Sequence, residues 1–591
     1  MTPRLARLAL FGLAAVASVY LGFVAPDVEQ ARDVVQRYGY FTLAGTFVWF
    51  LVALLPLRRA ALRALRGPSP REWGVVGGLA GACVLVACLT VPYTYKVLYD
   101  EFVLQSTALH LHQAREVGAT VRAYEVEGAF RSIGTYLDKR PAFFALLVSL
   151  LHDVTGYREA NAFLLNTALA VVVLGLAYLL GRRLAGHACG VVTLLGLGAY
   201  SLFAHNATGA GMELLNLAML LGVVLLAVHY LAAPEPERLA PLVLAAVLLA
   251  QTRYESALYI APVALVVLEG WRRAGRPVLP WAAVAAPLLL VPYALHQTYL
   301  SGSPQLWELR EGEATRFGWL YLGTNLRHAG RFFFNFVGTA PNSWWLAVAG
   351  FPALLWGAWR LARGARRWAG AEPAVAAVAV FGAAVGANLL LLLCYYWGQL
   401  DDPIVSRLSL PFSVLLALAV GWAATQAPAP WRSRALAVAV AGPLLAYLSS
   451  GLRANATHID LNLLMKEIAW EGEVVASLPP APRLVLSNKS ALAWIVRETP
   501  SIPLARASWR APAVKFHLDH HTFAEVLVTQ QLVPAGDDGV FQVSPRDRLP
   551  DHYVLEPLAE RRFDTHRARL SRVREIRLDA DTPGLQALAS P

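Results

Sequence analysis

The chain has 591 residues, 57% of them hydrophobic and only 15% charged, with a mean hydropathy of +0.47. That composition excludes a soluble globular protein of this length and indicates a polytopic α-helical membrane protein. From Gly451 onward 17 basic residues balance 17 acidic ones, so the net charge of +11 lies wholly in the preceding part, which holds 34 basic and 23 acidic residues. Such a bias belongs to membrane topology and an anionic lipid surface, and not to nucleic acid.

The first apolar run, Leu8 to Ala25, is flanked by Arg4 and Arg7 and reads as a signal-anchor without a small-residue cleavage site. Apolar spans follow at about 40–57, 73–94, 161–181, 187–204, 212–232, 279–297, 344–361, 374–397, 404–424 and 433–450. Pro141 to Leu151 is too short to cross, since a span needs about 20 residues, and reads as an interfacial helix. Leu239 to Gly270 is too long for one pass and carries Arg253 and Glu255 at its middle, so it reads as two short passes turning there. Short arginine-rich loops at 58–71, 182–183, 238, 272–276, 360–367 and 432–434 all fall on one side under this reading. The result is about 13 spans, with the N-terminus cytoplasmic and the tail outside. Cys83, Cys88, Cys189 and Cys394 lie within spans and mark neither a disulfide framework nor a zinc site.

Three regions follow: 1–72, two spans and a basic inner loop; 73–450, the membrane core with outer loops 95–160 and 298–343; and 451–591, an extracytoplasmic α/β domain. In the tail, Asp460 to Leu478 has helical periodicity and Arg483 to Ser487 reads as a strand. Ser490 to Val496 is a short helix and Ile502 to Ala505 a second strand. Phe523 to Thr529 and Val540 to Val543 bracket a turn at Pro534 to Gly539. The last 20 or so residues read as poorly ordered.

The polar features gather on the outer face. Asp100 and Glu101 stand where the span 73–94 has run out, and acids near lipid are costly enough to suggest a function. Lys139-Arg140-Pro141 closes the same loop with a basic pair, a layout suited to activating one substrate and holding a phosphate. The alternative is a hydrated interfacial acid pair. His110 and His112, two residues apart, do not share a helix face and read poorly as a metal pair. His205 and Glu213 flank a glycine-rich turn, where glycine lets a ligand approach the backbone. Glu213 is either a second catalytic or binding acid or a helix-start carboxylate complementing the dipole. Arg253 and Glu255 either line a donor cavity or form a self-compensating pair at the turn. Arg407, after Asp401-Asp402-Pro403, either grips a lipid phosphate with two hydrogen bonds or snorkels at the interface.

In their order these segments resemble the integral-membrane GT-C glycosyltransferases, in particular the branch containing the aminoarabinose transferase of lipid A and the protein O-mannosyltransferases. The resemblance rests on Tyr99-Asp-Glu101, Lys139-Arg-Pro-Ala-Phe-Phe144, Thr252-Arg-Tyr-Glu255 and Arg407-Leu-Ser-Leu-Pro411, and covers most of residues 73 to 505. Two extra spans precede the acid-bearing loop, Arg140 stands where proline is usual, and no arginine accompanies Gly209-Ala-Gly211 before Glu213. The resemblance implies a GT-C-like fold and transfer of a sugar from a polyprenyl-phosphate donor to a glycan, lipid or protein acceptor at the outer face. Asp100, with Glu101 beside it, would be the catalytic acid pair, Asp100 taking the acceptor proton. Lys139 and Arg140 would hold the departing phosphate, with Arg253 and Arg407 as further phosphate or sugar contacts. Some relatives use a divalent metal, for which Asp100, Glu101 and Glu213 offer hard oxygen ligands. The high Ala, Arg and Gly content fits a bacterial inner membrane. A transporter or flippase of lipid-linked sugars, and a non-catalytic envelope-assembly protein, are the competing readings.

Overall fold

The computed structural model describes residues 3–578 apart from 59–68, 308, 310–311, 314, 365–370, 461 and 536–539. Most of the basic loop 58–71, most of the turn at 534–539 and residues 579–591 of the chain end lie outside the described residues, while 572–576, expected to be poorly ordered, complete a strand. The chain divides into two compact units whose segments alternate along the sequence. One comprises Met1–Val97, Lys139–Val148 and Ala160–Leu461; the other comprises Leu98–Asp138, Ser149–Glu159 and Asn462–Pro591.

The first unit is helical. Among the described residues nine helices are long and apolar enough to cross a bilayer, making the chain a multi-pass membrane protein. The helix Ala160–Gly198 has 39 residues, about 58 Å at 1.5 Å per residue and twice a bilayer's apolar depth. It breaks at Ala185 and Gly186, where φ of +87° needs glycine. The two expected spans at 161–181 and 187–204 are its two limbs. They pack tightly: a Cβ on Gly181 would lie 2.9 Å from the Gly190 Cα. The expected turn near Arg253 also forms, between Pro236–Ala250 and Ile260–Ala274. Pro287 and Pro292 punctuate the expected span at 279–297, which becomes Trp281–Leu289 and Val291–Ser301. Phe143–Thr155, at 13 residues, is too short to cross, as expected. A continuous apolar core including Tyr178, Leu221, Leu249, Phe332 and Leu416 fills the unit.

The second unit is built on an eight-stranded mixed sheet, β1 (Ala119–Val126), β2 (Ala129–Tyr136), β3 (Arg483–Leu486), β4 (Ser501–Ile502), β5 (Glu525–Pro534), β6 (Phe541–Val543), β7 (Tyr553–Phe563) and β8 (His566–Ile576), in the order β2-β1-β4-β3-β5-β8-β7 with β6 on β5. β3 runs parallel to β4 and to β5, and the other pairings are antiparallel. Leu484, Leu486, Val526 and Val528 form its apolar face with Phe523 and Val514.

Several elements differ from expectation. The segment 95–140, read as a loop, forms the helix Leu98–Ala114 and the β1–β2 hairpin. Glu127 and Gly128 make its two-residue turn with φ of +52° and +74°, the geometry that fits the right-handed twist of paired strands. The expected strand at 502–505 stops after Ile502, because Pro503 opens the helix Leu504–Trp509. The β7–β8 hairpin was not expected, because its strands carry many charges. Arg574 pairs with Glu556, and Arg569 with Glu560, across the hairpin, while Leu570 packs with Leu527 on one face of the sheet and Val573 with Val526 and Val528 on the other.

Candidate functional site

Four of the residues singled out from the sequence meet in the membrane unit. Glu213 is the first residue of the helix Glu213–Ala232. Its Oε1 accepts from Arg253 Nη1 at 2.7 Å and from Arg407 Nη1 at 2.5 Å. Arg253 Nε in turn donates to Glu255 Oε1. The side chains of Glu213 and Arg253 are each 3% exposed and that of Arg407 is 7% exposed. A helix-dipole role alone does not describe Glu213: two guanidinium groups share one of its oxygens.

The backbone around this cluster is pinned by small polar groups. Asn216, one turn after Glu213, accepts from Thr252 Oγ1 at 2.8 Å and Ser256 Oγ at 2.6 Å through its Oδ1. This anchors both sides of the Arg253 turn to the Glu213 helix. Asn166 donates to the carbonyls of Gly209 and Gly211, each at 2.8 Å, and so fixes the glycine turn ahead of Glu213. Asp402 caps the four-residue helix Pro403–Ser406 through the Ile404 N–H, 2.7 Å away. Trp397 Nε1 holds the other oxygen of Asp402. His328 Nδ1 lies 2.7 Å from Asp401 Oδ1. Arg407 Nε donates to the Ile404 carbonyl at 2.9 Å, which aims its outer nitrogens at Glu213. The basic segment joins the same region: the Phe143 N–H, three residues after Arg140, donates to the Gln251 carbonyl at 3.3 Å.

A cavity of about 390 Å³ borders the cluster through Glu255, and Leu300, Leu391 and Leu392 give it apolar walls. Two buried polar atoms of its lining, Glu255 Oε2 and Gln297 Nε2, have no hydrogen-bond partner among the described residues. One is an acceptor and the other a donor. Burying such groups unpaired costs about 1–3 kcal/mol each. Arg316 and Asn388 also line the cavity. Arg316 is held in place by backbone pairing, its carbonyl accepting from the Tyr396 N–H at 3.0 Å. Gln297, Arg316 and Asn388 were missed in the sequence, although Asn388 sits inside an apolar helix where a polar side chain invites a functional question.

His205 belongs to a different network. Its Nε2 lies 3.0 Å from Asn455 Oδ1, which also accepts from Ser201. Asn455 Nδ2 reaches Thr90 and Tyr447 at 3.1 Å each. This knot ties the short helix Ser201–Ala207 to the end of Pro70–Thr90 and to the helical stretch Ala429–Thr457.

In the sheet unit, Asp100 and Glu101 occupy the first turn of the helix Leu98–Ala114, where the dipole favours acids. Glu101 is buried and Asp100 half-buried. His112 contacts Asp153 at 2.6 Å, and Arg115 grips both oxygens of Asp153 at 2.7 and 2.9 Å. This ion pair, with burial opposing it, holds the Asp153 carboxyl below its usual range. Among the described residues no group of three His, Cys, Asp or Glu side chains gathers to hold a metal.

No family model matches the chain, and neither does any curated protein. Among solved structures, the chain is similar to ArnT from Cupriavidus metallidurans bound to undecaprenyl phosphate, with 12% identity and a TM-score of 0.49 over 85% of this chain and 98% of that one. The apo state of that ArnT gives 14% identity and a TM-score of 0.43 over 84% and 98%. The apo oligosaccharyltransferase of Archaeoglobus fulgidus gives 12% identity and a TM-score of 0.46 over 81% and 75%.

Proposed function

We propose that the protein is a GT-C-type glycosyltransferase that moves a sugar from a polyprenyl-phosphate donor to an acceptor at the outer face of a bacterial inner membrane. The observation that carries the reading is the cavity beside the Glu213–Arg253–Arg407 cluster, with its two unpartnered polar atoms and leucine walls. Sugar hydroxyls donate to Glu255 Oε2 and sugar oxygens accept from Gln297 Nε2. The prenyl chain lies along the apolar wall, and Arg316 compensates the phosphate. The Glu213 cluster is the rigid support: Arg253 orients Glu255, and Glu213 orients Arg253.

The remaining roles follow from the order of motifs in the sequence. Asp100, with Glu101 beside it, takes the proton of the acceptor hydroxyl as its oxygen bonds to the anomeric carbon. The bond from that carbon to the phosphate oxygen breaks, and polyprenyl phosphate leaves with the electron pair. Lys139 and Arg140 stabilise the developing charge. Glycan, lipid and protein acceptors all fit this chemistry, as do hexosyl and pentosyl donors. No step is routed through a metal. The N-terminus is cytoplasmic and the sheet unit extracytoplasmic, as the arginine-rich loops direct.

The test supplies membranes containing wild type, Asp100→Asn or Glu255→Gln with a panel of radiolabelled polyprenyl-phosphate sugars. Label reaching an acceptor with wild type only is the expected result. Absence of transfer from every donor, with the protein correctly inserted, favours a flippase or an assembly role.

A further inference from the structure

A second cavity, of about 760 Å³, opens between the helices Trp344–Gly364, Pro373–Leu393 and Leu410–Thr425. Its rim is where the first and third of these helices end and the second begins, so it lies at one membrane face. Its lining runs from Val375 to Gly386 on one helix and from Phe412 to Gln426 on another, about 17 and 21 Å at 1.5 Å per residue. That is close to the apolar depth of one leaflet, about 15 Å. Glycines make the room: a Cβ on Gly386 would meet nothing within 4 Å, and one on Gly357 would meet only the Trp422 ring, at 3.6 Å.

Among the described lining residues a single one carries formal charge. Arg360 stands at the rim, exposed, with Nη1 3.2 Å from Gln426 Oε1. Its guanidinium carbon lies 5.8 Å from the Trp356 ring and 5.7 Å from the Trp422 ring, and those rings are 5.0 Å apart. Paired tryptophans beside a cation are the composition of the membrane–water interface. Arg363, Arg366 and Arg367 follow in the sequence, so the rim sits in an arginine-rich stretch of chain. A one-leaflet apolar slot ending on a cation complements one ligand: a glycerophospholipid with an anionic headgroup.

We infer that this groove is a structural site for an anionic glycerophospholipid, its acyl chain between Gly357, Gly386 and Leu415 and its phosphate on Arg360. The site is separate from the cavity at Glu255, with which it shares no lining residue. A guanidinium suits this role because it offers a planar pair of donors to two phosphate oxygens.

The test is native mass spectrometry of the delipidated full-length protein in detergent, titrated separately with phosphatidylglycerol, phosphatidylethanolamine and undecaprenyl phosphate. Wild type is expected to retain one phosphatidylglycerol in preference to phosphatidylethanolamine. Arg360→Gln is expected to reduce that preference by about fivefold, the worth of one interfacial cation, and to leave phosphatidylethanolamine binding unchanged. Gly386→Phe, which fills the slot, is expected to weaken both phospholipids. An unchanged preference in Arg360→Gln overturns the site, as does undecaprenyl phosphate binding that only Gly386→Phe abolishes. If Gly386→Phe loses its monodisperse elution, the comparison of wild type with Arg360→Gln decides alone.

Discussion

Glu213 in the membrane unit and Glu471 in the sheet unit are each 4% exposed, yet their surroundings treat them in opposite ways. Glu213 meets two guanidinium groups on one oxygen. Glu471 meets Ser490 Oγ at 2.8 Å, and burial, then the nearby Glu467, pushes its carboxyl up to about 8. Glu467 is itself buried and is served by Gln531 Nε2 at 2.7 Å and His566 Nε2 at 2.9 Å. One unit therefore surrounds a buried acid with guanidinium groups, and the other surrounds one with a hydroxyl and a second acid, which favours its neutral form. Apolar surroundings permit both solutions. Only the first makes a frame of buried ion pairs.

The largest expected effect comes from breaking the charged frame. Glu213→Gln leaves two buried guanidiniums without their shared carboxylate, and removing one partner of a buried pair costs about 3–5 kcal/mol. Thermal unfolding in detergent should show a drop in midpoint of many degrees, or a failure to insert. A midpoint within a degree of wild type would contradict the frame.

Glu471→Gln probes the opposite solution. Its raised native pKa means the folded state holds a proton that the unfolded chain releases above the ordinary glutamate range, near 4.5. Stability is then present at low pH and declines as pH rises from about 4.5 to 8. Each unit of displacement is worth about 1.4 kcal/mol, so the substitution should raise stability at pH 8 by up to a few kcal/mol and flatten the pH profile. A profile identical to wild type would rule out a neutral Glu471.

His152 supplies the complementary sign in the same unit. Burial, then the neighbouring His112, pushes its imidazole down to about 4. The unfolded chain binds the proton first, so stability falls as pH drops from about 6.5 to 4. His152→Phe should reduce that acid sensitivity while leaving stability at pH 7.5 close to wild type. The smallest effect belongs to the β1–β2 turn. Gly128→Ala places a side chain at φ +74° and should cost roughly 1 kcal/mol, read as a small shift in the unfolding midpoint.

The sequence made the frame legible as separate pieces. An arginine, two acids and a glycine-rich turn inside apolar stretches each stood out, because charge at membrane depth is rare. That Glu213 and Arg407 touch across 194 residues was not legible, because nothing in the local sequence of either points to the other. Arginine bias in short loops located the passes, including the split at Arg253. Asn166 and Asn216, which fix the two turns, were passed over as ordinary polar residues in helices. The orphaned Gln297 is a property of packing: nothing in its local sequence distinguishes it from a satisfied glutamine. The β7–β8 strands hid because cross-strand Arg–Glu pairs replace the polar–apolar alternation that marks a strand. The β1–β2 hairpin hid because its pairing partner, Ser501, lies far along the chain.

The most direct test of the account is photo-crosslinking with a polyprenyl-phosphate sugar that carries a diazirine on its sugar ring, followed by peptide mapping. The account predicts adducts at residues 254–258, 297–301 and 388–395, and about 10- to 100-fold weaker labelling in Glu255→Gln, the loss of one charge-assisted hydrogen bond, with a smaller fall in unfolding midpoint than in Glu213→Gln, because Glu213 still faces Arg253. Undiminished labelling in Glu255→Gln, or adducts confined to 353–361 and 412–426, would contradict it.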